Sequence, residues 1–251
     1  MMKKNKTEPI ISVKNLIAKY DEKIILDDID IDIFPNEITV ILGTSGCGKT
    51  TLLKNILRLY NPFSGSIKIF GEETTTMDEN KFENILKRIG MLFQNGALLN
   101  SISIFENVSI PLEQHTNLPF SIMKRIIETK LNLVNLGNAV YSLPSELSGG
   151  MKKRAALARA IALDPEILFC DEPSAGLDPL TSSKLDKLIL NLKQQFKMTI
   201  VIVTHELASI NRIADRIIFL ENGKVIFTGT LSEAKKTNIN SVKTFFEVGK
   251  F

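Results

Sequence analysis

The chain predicts an α/β fold, with a core of parallel strands, a small antiparallel sheet and a helical segment inserted between strands. Three observations carry that expectation. Uncharged, aliphatic-rich runs at residues 38–42, 167–170 and 200–203 read as strands buried on both faces, as parallel strands are. Each run is followed by a stretch of helical composition, the alternation of a βαβ core. By contrast, Ile29-Asp30-Ile31-Asp32-Ile33-Phe34 and residues 66–71 alternate with period two, as antiparallel strands with one wet face do.

Taken in order, residues 11–16 open as a strand that ends near the polar turn Tyr20-Asp21-Glu22-Lys23. The alternating strand from Ile29 follows, then the buried strand at Ile38, and Asn61-Pro62-Phe63-Ser64-Gly65 reads as a turn into the second alternating strand. Residues 78–87 are expected to be helical and residues 89–94 a short strand ending on Gln94. From 104 to about 162 the spacing is helical, with breaks expected at Pro111, Pro119 and Leu143-Pro144-Ser145. Strand and helix then alternate again: strand 167–170, helix 179–196, strand 198–203, helix 207–213. Strands 216–220 and 225–227 flank Asn222-Gly223, a hairpin turn signal. The last twenty or so residues read as a helix candidate and a polar tail. This gives one large α/β domain over about 8–235, with a helical subdomain at about 95–163 and a tail at 236–251.

Composition narrows the function. The 251 residues are 44% apolar and 24% charged, ordinary for a globular chain with a full core. A net charge of +3 with scattered basic residues argues against a nucleic-acid partner. Met2-Lys3-Lys4 and Lys6 form a short basic start with no apolar run behind it, so no secretory signal is expected. Apolar runs such as Ile200-Val201-Ile202-Val203 fall far short of the roughly eighteen residues that span a bilayer. Membrane work would therefore go through a partner. Cys47 and Cys170 have neither metal-ligand nor disulfide-framework spacing, which fits a reducing compartment.

The most informative stretch is Gly43-Thr44-Ser45-Gly46-Cys47-Gly48-Lys49-Thr50-Thr51, placed between the buried strand and residues 52–57 of helical composition. A strand, a glycine-rich loop and a helix in that order let successive N–H groups curl round an anion at the positive end of the helix dipole. Lys49 would reach the outer phosphates of a nucleotide, and the Thr50 hydroxyl would coordinate Mg²⁺. Further on, Asp171-Glu172 follows four buried-strand residues, at the sheet edge where ligands of open parallel sheets sit. Asp171 suits a role near Mg²⁺, and Glu172 suits the orientation and deprotonation of an attacking water. Leu147-Ser148-Gly149-Gly150-Met151 opens a strongly helix-forming run. Ser148 reads as its N-cap, and Gly149 and Gly150 let a phosphate approach the backbone. His205 also follows a buried strand and is placed to donate to a γ-phosphate, whereas His115 reads as a loop residue.

In this order the motifs resemble the nucleotide-binding subunit of ABC transporters, over about residues 11–227. The resemblance implies a P-loop NTPase core of the RecA-like kind, with an antiparallel β subdomain and an inserted helical subdomain. It implies ATP and Mg²⁺ as ligands. Tyr20 matches the aromatic that stacks on adenine, residues 43–50 the Walker A loop, and Gln94 the Q-loop residue that reaches Mg²⁺ when the subdomains close. Residues 147–151 match the signature, 167–171 with Glu172 the Walker B strand and catalytic glutamate, Ser174-Ala175-Gly176-Leu177-Asp178 the D-loop, and His205 the switch histidine. Ser148, Gly149 and Gly150 would then bind the γ-phosphate held by a second copy in a head-to-tail dimer.

Residues 90–99, 104–108 and 111–119, with Met151 closing the signature, resemble the ATPases of Mla/Mce-type lipid transport systems. That likeness implies phospholipid traffic between inner and outer membrane, powered from the cytoplasmic face of the inner membrane. It also implies an integral-membrane permease, an Mce-type lipid-binding protein and a STAS-domain regulator as partners. The alternatives are the ATPase of an importer for a small polar solute, which shares every catalytic motif, and a single-cassette ABC ATPase acting in cell division.

Overall fold

A computed structural model describes residues 8–248; the basic start at Met2, Lys3, Lys4 and Lys6 and the closing Gly249, Lys250 and Phe251 lie outside the described residues. The chain divides into two compact units, Met1–Ile85 with Val203–Phe251, and Leu86–Ile202.

The first unit opens with β1 (Ile11–Tyr20) and β2 (Lys23–Ile33), which pair antiparallel with Ile11 opposite Ile33 and Tyr20 opposite Lys23. The Ile-Asp alternation works as expected: Ile29, Ile31 and Ile33 are buried and Asp30 is exposed. β3 (Ile38–Gly43) is buried at every position, each large side chain contributing about 1.5–3 kcal/mol of apolar burial. It runs into α1 (Lys49–Ile56). β4 (Ser64–Ile69) pairs antiparallel with the other edge of β1, and β5 (Glu72–Glu73) extends that sheet. α2 (Glu79–Leu86) leads out of the unit.

In the second unit the chain runs β6 (Ile89–Leu92), α3 (Ile104–His115), α4 (Phe120–Leu133), α5 (Gly149–Ala160), β7 (Ile167–Asp171), α6 (Pro179–Phe196) and β8 (Thr199–Val203). β6 and β7 are parallel, with Ile89 opposite Ile167 and Leu92 opposite Cys170, and β8 lies on the other side of β7. Two expectations fail here. Pro111 does not break the helical segment but sits inside α3, and His115 is the last residue of that helix rather than part of a loop. α3 survives its proline because both ends of the argument favour helix. A capping box of Ser103 and Glu106 fixes its start, and Ile104, Phe105, Val108 and Leu112 are buried along one face. The missing Pro111 N–H costs one hydrogen bond in a helix that tertiary packing already holds.

The chain then returns to the first unit through α7 (Leu207–Ile213), β9 (Arg216–Glu221) and β10 (Lys224–Thr230), followed by α8 (Leu231–Ala234) and α9 (Asn240–Val248). β9 lies parallel to β3 with Gly43 opposite Leu220, and β10 turns back antiparallel through Asn222 and Gly223, both at positive φ. α9 occupies the stretch read as a tail. Val242 and Phe246 are buried, and Phe245 meets Phe219 edge-on at 5.8 Å.

Candidate functional site

The glycine loop has the backbone its sequence requires. Gly43 has φ 149°, and a Cβ there would lie 2.1 Å from the Leu220 carbonyl oxygen, so only glycine lets β3 end beside β9 in this way. Gly48, at φ 104°, is the N-cap of α1 and has no side chain to cap the helix, which leaves the dipole end open to an outside anion. Thr44, Ser45, Gly46 and Thr50 are exposed, Lys49 and Thr51 are half-buried, and Cys47 is buried. The Lys49 ammonium folds back over the loop, donating to the Gly43 and Thr44 carbonyls at 2.9 and 3.0 Å, with the Cys47 Sγ at 3.9 Å. Tyr20, in the same unit, ends β1 with an exposed ring. Tyr60 meets it edge-on at 5.4 Å, a support the sequence reading missed.

In the second unit β7 delivers Asp171 as its last residue, and Glu172 follows at φ 45°. A non-glycine residue in that left-handed region is held there by its surroundings, and such strain gathers at functional sites. The side chain of Gln94 is exposed just beyond β6. Lys153, on α5, joins these two places. Its buried ammonium donates to the main-chain carbonyl of Gln94 and, at 3.3 Å, to that of Glu172. Burial pushes the Lys153 pKa down, while the neighbouring Glu172 and Asp171 carboxylates push it back up. Arg159, from the same helix, donates to the Gly96 and Ala97 carbonyls, both at 2.7 Å.

Lys153 was also missed in the sequence, although a signal existed. It falls in register with Ala156 and Leu157, on a face that α5 buries, where a lysine needs specific acceptors. The start of α5 matches expectation, with Ser148 as its N-cap accepting from the Met151 N–H at 3.3 Å. Asp178 caps α6 in turn, accepting from the Leu180 and Thr181 N–H groups, both at 3.0 Å. The Thr181 hydroxyl also donates to Asp178 and, with those N–H groups, holds its carboxyl below the usual range. The Ser148 turn packs on the Asp178 turn: a Cβ on Gly150 would lie 2.5 Å from the Thr181 Cγ2.

His205 is exposed two residues beyond β8, beside the Glu206 N–H that donates to the Thr204 hydroxyl at 3.2 Å. The structure thus gathers the expected residues into local groups. One is the loop over 43–51 with Lys49 across it, a second is Gln94 and Glu172 joined by Lys153, and a third is the Ser148 turn against the Asp178 turn.

A family profile described as ABC transporter matches residues 26–175. The chain belongs to the ABC transporter family. As a member it is an ATP-binding, ATP-hydrolysing cassette, and among the described residues no helix is long and apolar enough to cross a membrane. It is similar to the intermembrane phospholipid transport system ATP-binding protein MlaF of Haemophilus influenzae, 42% identical over 221 residues, 88% of this chain and 84% of that protein. It is also similar to the methionine import ATP-binding protein MetN of Carboxydothermus hydrogenoformans, 40% identical over 227 residues, 89% of this chain and 67% of that one. Among solved structures, the dimeric post-hydrolysis ATP-binding cassette MJ0796 with ADP and Pi superposes at TM-score 0.80 and 30% identity, covering 88% of this chain and 98% of that one.

The loop fits a phosphate chain. A Cβ on Gly46 would meet nothing within 4 Å, so the loop is open at its exposed turn, and Lys49 brings to the loop an ammonium, a donor of the kind phosphate oxygens accept from. No group of three or more His, Cys, Asp or Glu among the described residues forms a metal cage. Mg²⁺ takes hydroxyl and carboxylate oxygens alongside phosphate and water; the first unit presents such a hydroxyl on the exposed Thr50, and the second a carboxylate on Asp171.

Proposed function

We propose that the chain is the ATPase subunit of a transporter that moves phospholipid between inner and outer membrane through a separate permease. The observation that supports this cargo is the likeness to MlaF over most of both chains, whereas the MetN relative is covered over only 67% of its length. In this reading the chain works at the cytoplasmic face of the inner membrane, paired head-to-tail with a second copy. An Mce-type protein and a STAS-domain regulator join the complex through the permease.

At each site the loop over residues 43–51 holds the triphosphate, with Lys49 on its outer phosphates and Tyr20 under the adenine. Thr50, Asp171 and Gln94 would hold Mg²⁺, whose chemistry there would be to neutralise charge on the phosphates. Glu172 orients the attacking water and takes its proton, and His205 donates to the γ-phosphate. Ser148, Gly149 and Gly150 complete the neighbour's pocket with an open helix N-terminus, and Asp178 caps the adjoining helix.

Glu172→Gln tests the chemistry, since it keeps shape and removes the base. ATP binding and pairing are expected to persist, with turnover lower by on the order of 10²–10⁴. Turnover at the wild-type rate would remove Glu172 from its role. The cargo is tested by solubilising membranes that carry a tagged chain and identifying the permease and lipid that remain bound. Phospholipid with a lipid-transport permease is expected; an amino-acid permease without lipid replaces this reading with that of a polar-solute importer.

A further inference from the structure

We propose that Lys153 is a positioning residue of the ATPase reaction, its ammonium tying the main chain of Gln94 and of Glu172 to the helix that begins at Ser148. The inference rests on the roles proposed above for Gln94, Glu172 and Ser148 and adds the element that holds them in register. Lys153 has only 7% of its surface exposed, on a helix face otherwise made of Ala156 and Leu157. A charge there needs acceptors, and it finds them in the carbonyls of two residues given roles in the proposed chemistry, Gln94 and Glu172.

The two bonds differ in what they fix. Arg159 already anchors the Gly96 and Ala97 carbonyls to α5, so the strand-to-loop exit after β6 has a second restraint just beyond Gln94. Glu172 sits in the left-handed region and holds that conformation only while its surroundings impose it. The Lys153 bond to its carbonyl acts directly on the residue whose carboxylate must meet water. Because α5 also carries the Ser148 turn at its N-terminus, any shift of that turn is transmitted along one rigid helix to Lys153, five residues on. An engaged neighbour and an aligned base are thereby linked within one unit.

The bland account is a satisfied buried cation whose loss merely loosens the fold. It predicts that turnover falls only as far as stability does. The test uses the purified full-length chain with Lys153→Met, which keeps the aliphatic stem. Leu157→Ala, buried on the same helix, serves as a control for destabilisation. Melting temperature, ATP affinity by nucleotide titration, and kcat and KM from phosphate release are measured for each. Expected for Lys153→Met are ATP affinity within about threefold of wild type and kcat lower by on the order of 10²-fold, the loss that a misplaced catalytic group typically brings. Leu157→Ala should lose stability with kcat little changed.

Two results overturn the inference: a Lys153→Met enzyme within threefold of wild-type kcat, or a Leu157→Ala enzyme that loses as much kcat at equal melting temperature. Glu172→Gln run alongside separates the failures. Full turnover in that variant fails the underlying reading, whereas an inactive Glu172→Gln beside a fully active Lys153→Met fails only the role of Lys153.

Discussion

Lys49 donates to the carbonyl of Gly43, six residues before it, at 2.9 Å, so the cation of the phosphate loop is held inside the loop by the loop's own backbone. A second bond to the Thr44 carbonyl completes the arrangement. In the proposed site the ammonium is aimed before any nucleotide arrives, and binding would exchange neutral acceptors for anionic ones, which hydrogen-bond more strongly.

Lys49→Ala is accordingly expected to weaken ATP far more than it weakens the fold. A hydrogen bond to a charged group contributes about 1.5–3 kcal/mol, and 1.4 kcal/mol is about tenfold in affinity. The expected loss is roughly 10- to 100-fold in ATP affinity, read by titration with a fluorescent nucleotide, with the melting temperature of the nucleotide-free chain nearly unchanged. Unaltered affinity would remove Lys49 from the phosphate site.

Gly149 and Gly150 are adjacent in sequence but differ in what surrounds them. A Cβ on Gly149 meets only the Leu177 side chain at an ordinary 3.7 Å, whereas one on Gly150 meets the Thr181 Cγ2 at 2.5 Å. Thr181 cannot rotate away freely, because its hydroxyl is bonded to the Asp178 carboxylate. Gly150→Ala is therefore an overpacking change, costing about 1–3 kcal/mol. Gly149→Ala falls at the first helical position, where the roughly 1 kcal/mol that alanine gains over glycine in a helix interior is felt only in part. Differential scanning calorimetry should place Gly150→Ala several degrees below wild type and Gly149→Ala at or slightly above it. The reverse order contradicts this packing.

Much of this was legible in the sequence, for identifiable reasons. α6 and α7 have the bounds that were expected, because Asp178-Pro179 is an N-cap followed by proline at the first helical position and residues 207–213 keep one apolar face. That the glycine run would fall between β3 and α1, and Asp171 at the end of β7, was legible because each follows an uncharged run long enough for one buried strand. Pro111 misled because a local helix-breaking rule was outweighed by burial and capping that act over the whole of α3. Lys153 was hidden because its acceptors are backbone atoms far away in sequence, and no residue type at positions 94 or 172 announces a carbonyl in need of a donor. The left-handed φ of Glu172 was equally silent, since glutamate carries no conformational preference for it.

The two cysteines offer a chemical probe of the loop. Cys170 is fully buried on β7, and burial pushes its thiol pKa up strongly, with the adjacent Asp171 carboxylate adding to the rise. A raised thiol pKa means that the reactive thiolate stays absent as the pH climbs, so Cys170 should resist alkylation even at pH 9. Cys47 is 5% exposed and lies 3.9 Å from the Lys49 ammonium, in a loop whose neighbouring turn is exposed to solvent. Iodoacetamide should therefore label the native chain once, at Cys47, as mass spectrometry of its peptides would read. The added group would occupy the space beside Lys49, so labelled protein should bind ATP about tenfold more weakly or worse, the loss of roughly one charge-assisted bond. Saturating ATP present during labelling should slow the reaction in proportion to site occupancy. Complete labelling of Cys47 with unchanged ATP affinity would place its thiol outside the nucleotide pocket, and labelling of Cys170 at the same rate would contradict its burial.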